Sequence, residues 1–124
     1  MAKTEQGARA AESQLPLTPA TFQILMSLVD GELHGYAIMK EVEASTDGEV
    51  RLGPGTLYGS LKRLLEAGLV AEGAERADPT MGDERRRYYR LTKFGLAVAQ
   101  AEARRLDAVV RSARQKRLIG RRLA

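Results

Sequence analysis

Cysteine and tryptophan are both absent from this 124-residue chain. Without thiols there is no disulfide, no cysteine nucleophile and no cysteine-ligated zinc, and a reducing cytoplasm is the compartment that fits. The one histidine, His34, cannot build the usual histidine cluster around a metal. It lies beside Gly35 and is expected to cap a helix or to sit at the surface. No apolar run approaches the roughly 20 residues that span a bilayer. The opening MAKTEQGARAAESQLP has no apolar stretch of the signal-peptide kind, so neither membrane nor export is expected. There is no serine elbow and no dinucleotide fingerprint, and GPGTLYG lacks the Gly-Lys-Ser/Thr and the long preceding strand of a phosphate loop. No catalytic residue, metal site or cofactor is assigned, and the chain is not expected to be an enzyme.

The charge is unevenly spread. Net charge is +4, yet residues 1–84 carry 7 Lys/Arg against 14 Asp/Glu, and residues 85–124 carry 13 against 2. The front is therefore at −7 and the back at +11. Such a split suits either a polyanion partner for the back third or a solvated, arginine-rich helix.

The length allows one domain with a modest core. Residues 1–14 are polar and alanine-rich and read as a mobile arm, in part helical. In LTPATFQILMSLVDG, Thr18 is placed to cap a helix that starts at Pro19, with Phe22, Leu25, Leu28 and Val29 at helical spacing. A second helix starts near Gly35, its apolar side made by Tyr36, Met39 and Val42 with Ala37 and Ile38 nearby. DGEVRLGPG reads as a turn with a very short strand, and a third helix runs from about Pro54 to Ala67. GLVAEGAER and ERRRYYRL flank the turn-rich ADPTMGD as two strands of a hairpin. The last helix runs from Thr92, its cap, to about Arg117. The fold class is mainly α with a small β-hairpin, a winged helix-turn-helix plus a long C-terminal helix. The boundaries follow as an arm at 1–14, a winged domain at 15–91 and a helix with basic tail at 92–124.

On a wheel of the third helix, Leu57, Leu61, Leu64 and Leu65 share one side. Gly55, Gly59, Lys62 and Glu66 occupy the opposite side, flanked by Thr56 and Arg63, while Tyr58 flanks the apolar edge. An interior glycine costs a helix about 1 kcal/mol against alanine. The pair is explained either by packing or by the close approach of a duplex. A major groove is about 12 Å wide and just admits a helix, so small residues at its leading end let it seat deeply. Its first amides and positive dipole end would face phosphate, and Lys62 and Arg63 follow one turn later. In ERRRYYRLT, alternation puts Arg85, Arg87, Tyr89 and Leu91 on one face and Arg86, Tyr88 and Arg90 on the other. Tyr89 and Leu91 are expected to cover the core, and the Arg86–Arg90 side to be wet or against phosphate. The tip is acidic at Asp78, Asp83 and Glu84, so contact is expected at the strand base rather than the apex.

GTLYGSLKRLLEAGLV followed by RRRYYRLTKFG resembles the PadR family of bacterial transcriptional regulators, in its short form with a single C-terminal dimerisation helix. LTPATFQILMSLVDGELHGYAIMKEVE is similar to that family's first two helices, and the resemblance runs from about residue 17 to 96. It implies double-stranded DNA as partner. Gly55, Thr56, Tyr58, Gly59, Lys62 and Arg63 would meet the groove, and Arg85, Arg86 and Arg87 the backbone or the minor groove. Base reading would rest on Thr56, Lys62 and Tyr58. Two positions depart from the family pattern. Gly59 stands where it usually has proline, which alters helix stiffness, and Leu65 where it has glutamate, which adds apolar surface inside.

The last helix carries Phe94, Val98 and Ala101, then Leu106, Val109, Val110 and Ala113 displaced around it, with Arg105 interrupting. The resemblance implies that this stripe forms a homodimer; the other reading is a helix folded back on its own domain. Some relatives bind small hydrophobic compounds between subunits. A tryptophan sandwich is unavailable here, and Phe22, Met26, Phe94 and Val98 are the residues that would line a smaller pocket or else belong to the core. The function expected is a sequence-specific repressor, dimeric on a pseudo-palindromic operator and open to relief by a hydrophobic effector. The alternative is a winged-helix adaptor whose basic face meets an acidic protein.

Overall fold

The computed structural model describes residues 2–80, 82 and 84–120. Its elements run α1 (Ala2–Glu12), α2 (Pro19–Ser27), β1 (Leu33–His34), α3 (Gly35–Ser45), α4 (Pro54–Glu66), β2 (Val70–Ala77), β3 (Arg85–Leu91) and α5 (Lys93–Gln115). The strands form one antiparallel sheet in the order β1-β3-β2.

Helix starts follow local chemistry. Thr18 has extended backbone, and its hydroxyl accepts the Thr21 amide at 3.2 Å, with Pro19 in the first helical position, where no amide is needed. His34 opens α3 by accepting the Ala37 amide on Nδ1 at 3.1 Å. Thr92 opens α5 by accepting the Gly95 amide at 2.9 Å. The core gathers between these helices and the sheet: Ile24, Leu25, Ile38, Val42, Leu57 and Leu61 are all closed to solvent. Each such burial is worth about 1.5–3 kcal/mol over exposure.

Several expectations are corrected. No strand forms in DGEVRLGPG; the short strand is Leu33–His34, which pairs through Leu33 with Tyr89 and through His34 with Tyr88. Two residues are too few to show alternation, and only the partner strand defines them. The inner side of α3 is Ile38 and Val42, with Tyr36 at the surface; in α2 Ile24 is fully buried beside the expected Leu25, while Val29, just past the helix, is exposed. Residues 1–14, expected as a mobile arm in part helical, are helical over Ala2–Glu12, and this α1 packs on α5 and buries Ala11.

The first half of α5 serves its own chain. Val98 and Ala101, expected at a dimer interface, lie in the core, because α1 and α2 both pack on α5. Two polar knots fix the helix. Thr92 donates its hydroxyl to the carbonyls of Gly68 (2.7 Å) and Leu69 (3.0 Å), and a Cβ on Gly95 would run into the Leu69 carbonyl. Further along, the buried Glu102 accepts the Leu17 amide at 2.8 Å and pairs with Arg105. The Arg105 guanidinium, with help from the Leu17 amide, holds the Glu102 carboxyl below the usual range against the opposing effect of burial. Arg105, which interrupts the apolar stripe in sequence, is the counter-ion of that carboxylate.

Two stability tests follow from these knots. Gly95→Ala should cost roughly 3 kcal/mol, because backbone rather than a flexible side chain must move, and should lower Tm by roughly 10 °C in a thermal melt. Since Glu102 is more acidic folded than unfolded, its charge stabilises above the unfolded glutamate pKa and that contribution is lost as pH falls through the lowered value. Glu102→Gln should therefore be destabilised by about 2 kcal/mol at pH 7, and the gap to wild type should narrow below about pH 4 in urea titrations.

Candidate nucleic-acid interface

Helix α4 begins without a side-chain cap. Its N-cap is Gly53 and its first residue Pro54, so the amides of the first turn find no side-chain acceptor, unlike those of α2, α3 and α5. Leu57, Leu61 and Leu64 are buried as the wheel requires, Leu65 packs partly against the core, and Ser60 is buried beside them. Gly55, Thr56, Lys62 and Arg63 are exposed. The two glycines have no internal packing role. A Cβ at Gly55 would meet nothing within 4 Å, and one at Gly59 only the Arg63 guanidinium at 3.7 Å. The outer side of α4 is bare without any demand from inside the molecule. Tyr58 is half exposed, and its hydroxyl end lies against Gly35, where any Cβ would collide with it; this ties α4 to the first turn of α3.

The hairpin does not alternate as expected. Tyr89 belongs to the core, but Tyr88 on the opposite face is buried too. There the His34 ring meets Tyr88 edge-on at 5.3 Å, and the Arg76 guanidinium stacks on Tyr88 at 3.5 Å. β3 is the middle strand, so both of its faces find cover at its inner end, while the arginines lie in the outer half beside the tip rather than at the base. Arg85 is exposed and donates to the Glu75 carbonyl at 2.7 Å. Arg87 is exposed and pairs with Glu72 at 3.3 Å. Arg86 is half-buried, 3.4 Å from Glu84 and 5.7 Å from the Tyr36 ring centre, with its buried Nε unpartnered. Among the described residues Lys62 and Arg63 make no ion pair. An exposed pair such as Arg87–Glu72 is worth less than about 1 kcal/mol, so Arg87 can exchange its carboxylate for phosphate at little cost.

Other residues around this surface escape sequence reasoning. His34 caps α3 as expected but is buried, and its Nε2 lies 2.8 Å from Asp78 at the hairpin tip. Bonds from His34 first, and then from Thr80, hold the Asp78 carboxyl down at about 2. Arg76 also pairs with Glu32 at 3.1 Å, and Lys40 stands over Tyr36 at 5.3 Å. A histidine before a helix signals a cap, but no local signal joins it to an aspartate 44 residues away.

The remaining expected site residues differ in exposure. Val98 has no surface to offer a ligand, Phe22 and Phe94 pack partly against the core, and Met26 lines a shallow hollow whose other walls are Gln23, Ser27, Glu41 and Ser45. Beyond Glu102, Leu106, Val110 and Ala113 are half-buried and Val109 is exposed, following Val98 and Glu102 along one side of α5.

Residues 24–101 match the transcriptional regulator PadR-like family. A 37.1 kDa protein of transposon TN4556 from Streptomyces fradiae is 40% identical over 84 residues, 68% of this chain; the chain spans only 22% of that relative's length. A PadR family transcription regulator from Clostridium difficile superposes with a TM-score of 0.66 at 24% identity, over 79% of this chain and 97% of its own. Bacillus subtilis PadR, solved in complex with operator DNA, superposes with a TM-score of 0.56 at 22% identity, over 65% of this chain and 45% of its own. The match spans the winged-helix elements from α2 through β3 and the first part of α5, and the chain belongs to the PadR-like family of transcriptional regulators.

Proposed function

We propose that this regulator is a sequence-specific DNA-binding repressor, acting in the cytoplasm as a homodimer on a pseudo-palindromic operator. The observation that carries the reading is the outer side of α4: amides without a side-chain cap, open space at Gly55, only the Arg63 guanidinium near Gly59, and Lys62 and Arg63, which make no ion pair among the described residues. Such a surface admits a groove floor closely and offers phosphate both orphan amides and cations. Arg85, Arg86 and Arg87 on the hairpin would grip the backbone, which gives affinity and salt dependence. Thr56, Lys62 and Tyr58 read bases and give sequence choice. The Bacillus subtilis relative with operator DNA supports the same use of the fold.

The second half of α5 supports the dimer. Val109, with Leu106 and Ala113 on the same side, is more than half exposed in the single chain, and a second copy would cover it. A two-fold pair would place its two α4 helices about 34 Å apart, one turn of DNA. Phe22, Met26 and Phe94 are the apolar groups that a small hydrophobic effector would meet between the subunits.

In a gel-shift titration with DNA from upstream of its own gene, Lys62→Ala should cost about 1–3 kcal/mol and relax the preferred sequence. Arg85→Ala should weaken all duplexes alike and flatten the salt slope by about 1. Unchanged preference after replacing both Thr56 and Lys62 would remove the base-reading assignment, and weak, sequence-blind retardation by the wild type would favour an acidic protein partner instead. Val109→Glu should sediment as a monomer and bind a two-half-site duplex at least about 10-fold more weakly while keeping its affinity for one half-site. A variant that stays dimeric would take this stripe out of the interface.

A further inference from the structure

The sheet face turned away from the core carries a buried polar assembly that DNA contact does not require. We propose, on the reading that the hairpin meets DNA, that His34 is the residue that positions the wing: through Asp78 it holds the outer end of the hairpin at a fixed place relative to α3 and α4.

The hydrogen bonds of the imidazole decide its tautomer. Nδ1 accepts the Ala37 amide at 3.1 Å, so it carries a lone pair. The ring proton is then on Nε2, which donates to Asp78 Oδ2 at 2.8 Å. The other oxygen, Oδ1, accepts the Thr80 amide at 2.9 Å and the Thr80 hydroxyl at 2.7 Å. One carboxylate thus shapes the turn at the tip with one oxygen and tethers it with the other. The ring is 2% exposed and packed edge-on against Tyr88, so it has no freedom to follow a moving loop.

The hairpin needs such a tether. β1 supports β3 only opposite Tyr88 and Tyr89, so residues 75–77 and 85–87 form a two-stranded ribbon beyond the third strand. A ribbon of two strands is marginal by itself, and a bulge between Glu72 and Glu75 bends it further. The Arg76–Glu32 pair is a second strap, but both side chains are substantially open to water, which makes it weak. Cutting the His34–Asp78 bond frees Arg85, Arg86 and Arg87 to sweep, and DNA binding must then order them again.

His34→Asn separates the two roles of the histidine. Asparagine caps a helix well but is too short to reach Asp78. Asp78→Ala cuts the tether from the other end and leaves the α3 cap intact. In both variants, hydrogen–deuterium exchange of amides 75–77 and 85–87 should accelerate about tenfold while α4 and α5 keep wild-type protection. Affinity for a duplex selected by the wild-type protein from a random library should fall about 5- to 10-fold with a flatter salt slope and the same preferred sequence. The double variant should be no worse than Asp78→Ala alone. Unchanged hairpin exchange in both single variants, or additive losses in the double, would overturn the proposal. Faster exchange with undiminished duplex affinity would overturn the positioning of the wing for DNA. If the wild type selects no duplex, the DNA reading falls, and the exchange of the hairpin amides alone still decides the tether.

Discussion

Helix α4 has to bury one side completely and keep the other side bare, and the rest of the molecule is arranged to satisfy both halves of that requirement. Leu57, Leu61 and Leu64 seal one side. The helix pays for the other with an uncapped start and a glycine at position 59, and no side-chain cap or close packing of either glycine among the described residues offsets them. A helix so weakly favoured by local preference is held by its neighbours. Its leucines lie in the common core, Tyr58 reaches across to the first turn of α3, and its C-terminal end runs through Gly68, at a φ of +77°, straight into β2. Tertiary packing takes over where propensity fails, which is the usual source of helix stability in a small domain.

The polar groups that do cap helices also join distant segments. Thr92 caps α5 and binds the two carbonyls that precede β2. His34 caps α3 and holds the hairpin tip. Glu102 binds the amide of Leu17, 85 residues away, and thereby sets where the segment before α2 crosses α5. Each group satisfies an orphan backbone donor or acceptor that would otherwise be costly to bury, so the same bond that ends an element also orients it.

Much of this was legible in the sequence. The starts of α2, α4 and α5 lie where Thr18, Pro54 and Thr92 place them, because caps and proline act locally. The leucine side of α4 follows from periodicity alone. The failures share a cause, which is distance along the chain. β1 is two residues long and exists only as a partner of β3. Tyr88 is on the face that alternation leaves to solvent, and it is buried because His34 and Arg76, remote from it in sequence or across the ribbon, close over it. Val98 and Ala101 look like part of one interfacial stripe, but α1 and α2 claim that length of α5 for the core. A stripe read from sequence records that a surface is apolar, not which chain covers it.

That division of α5 bears on how a regulator of this shape would convert dimer geometry into DNA spacing. The helix runs unbroken from Lys93 to Gln115, and from Leu96 to Ile119 the sequence contains neither glycine nor proline. Its first half is fixed to the domain by Thr92, by the close seat of Gly95 on Leu69 and by Glu102. In its second half Val109 is exposed. Kinks need a breaker, a bulge or an inserted side chain, and this stretch has no glycine or proline to supply one. A partner seated on the second half would therefore be transmitted rigidly to the first, and through the core leucines to α4. The separation of two recognition helices would then be set by the crossing of the two α5 helices rather than by any linker. Anything that changed that crossing by a few degrees would move both outer faces of α4 against the period of the duplex.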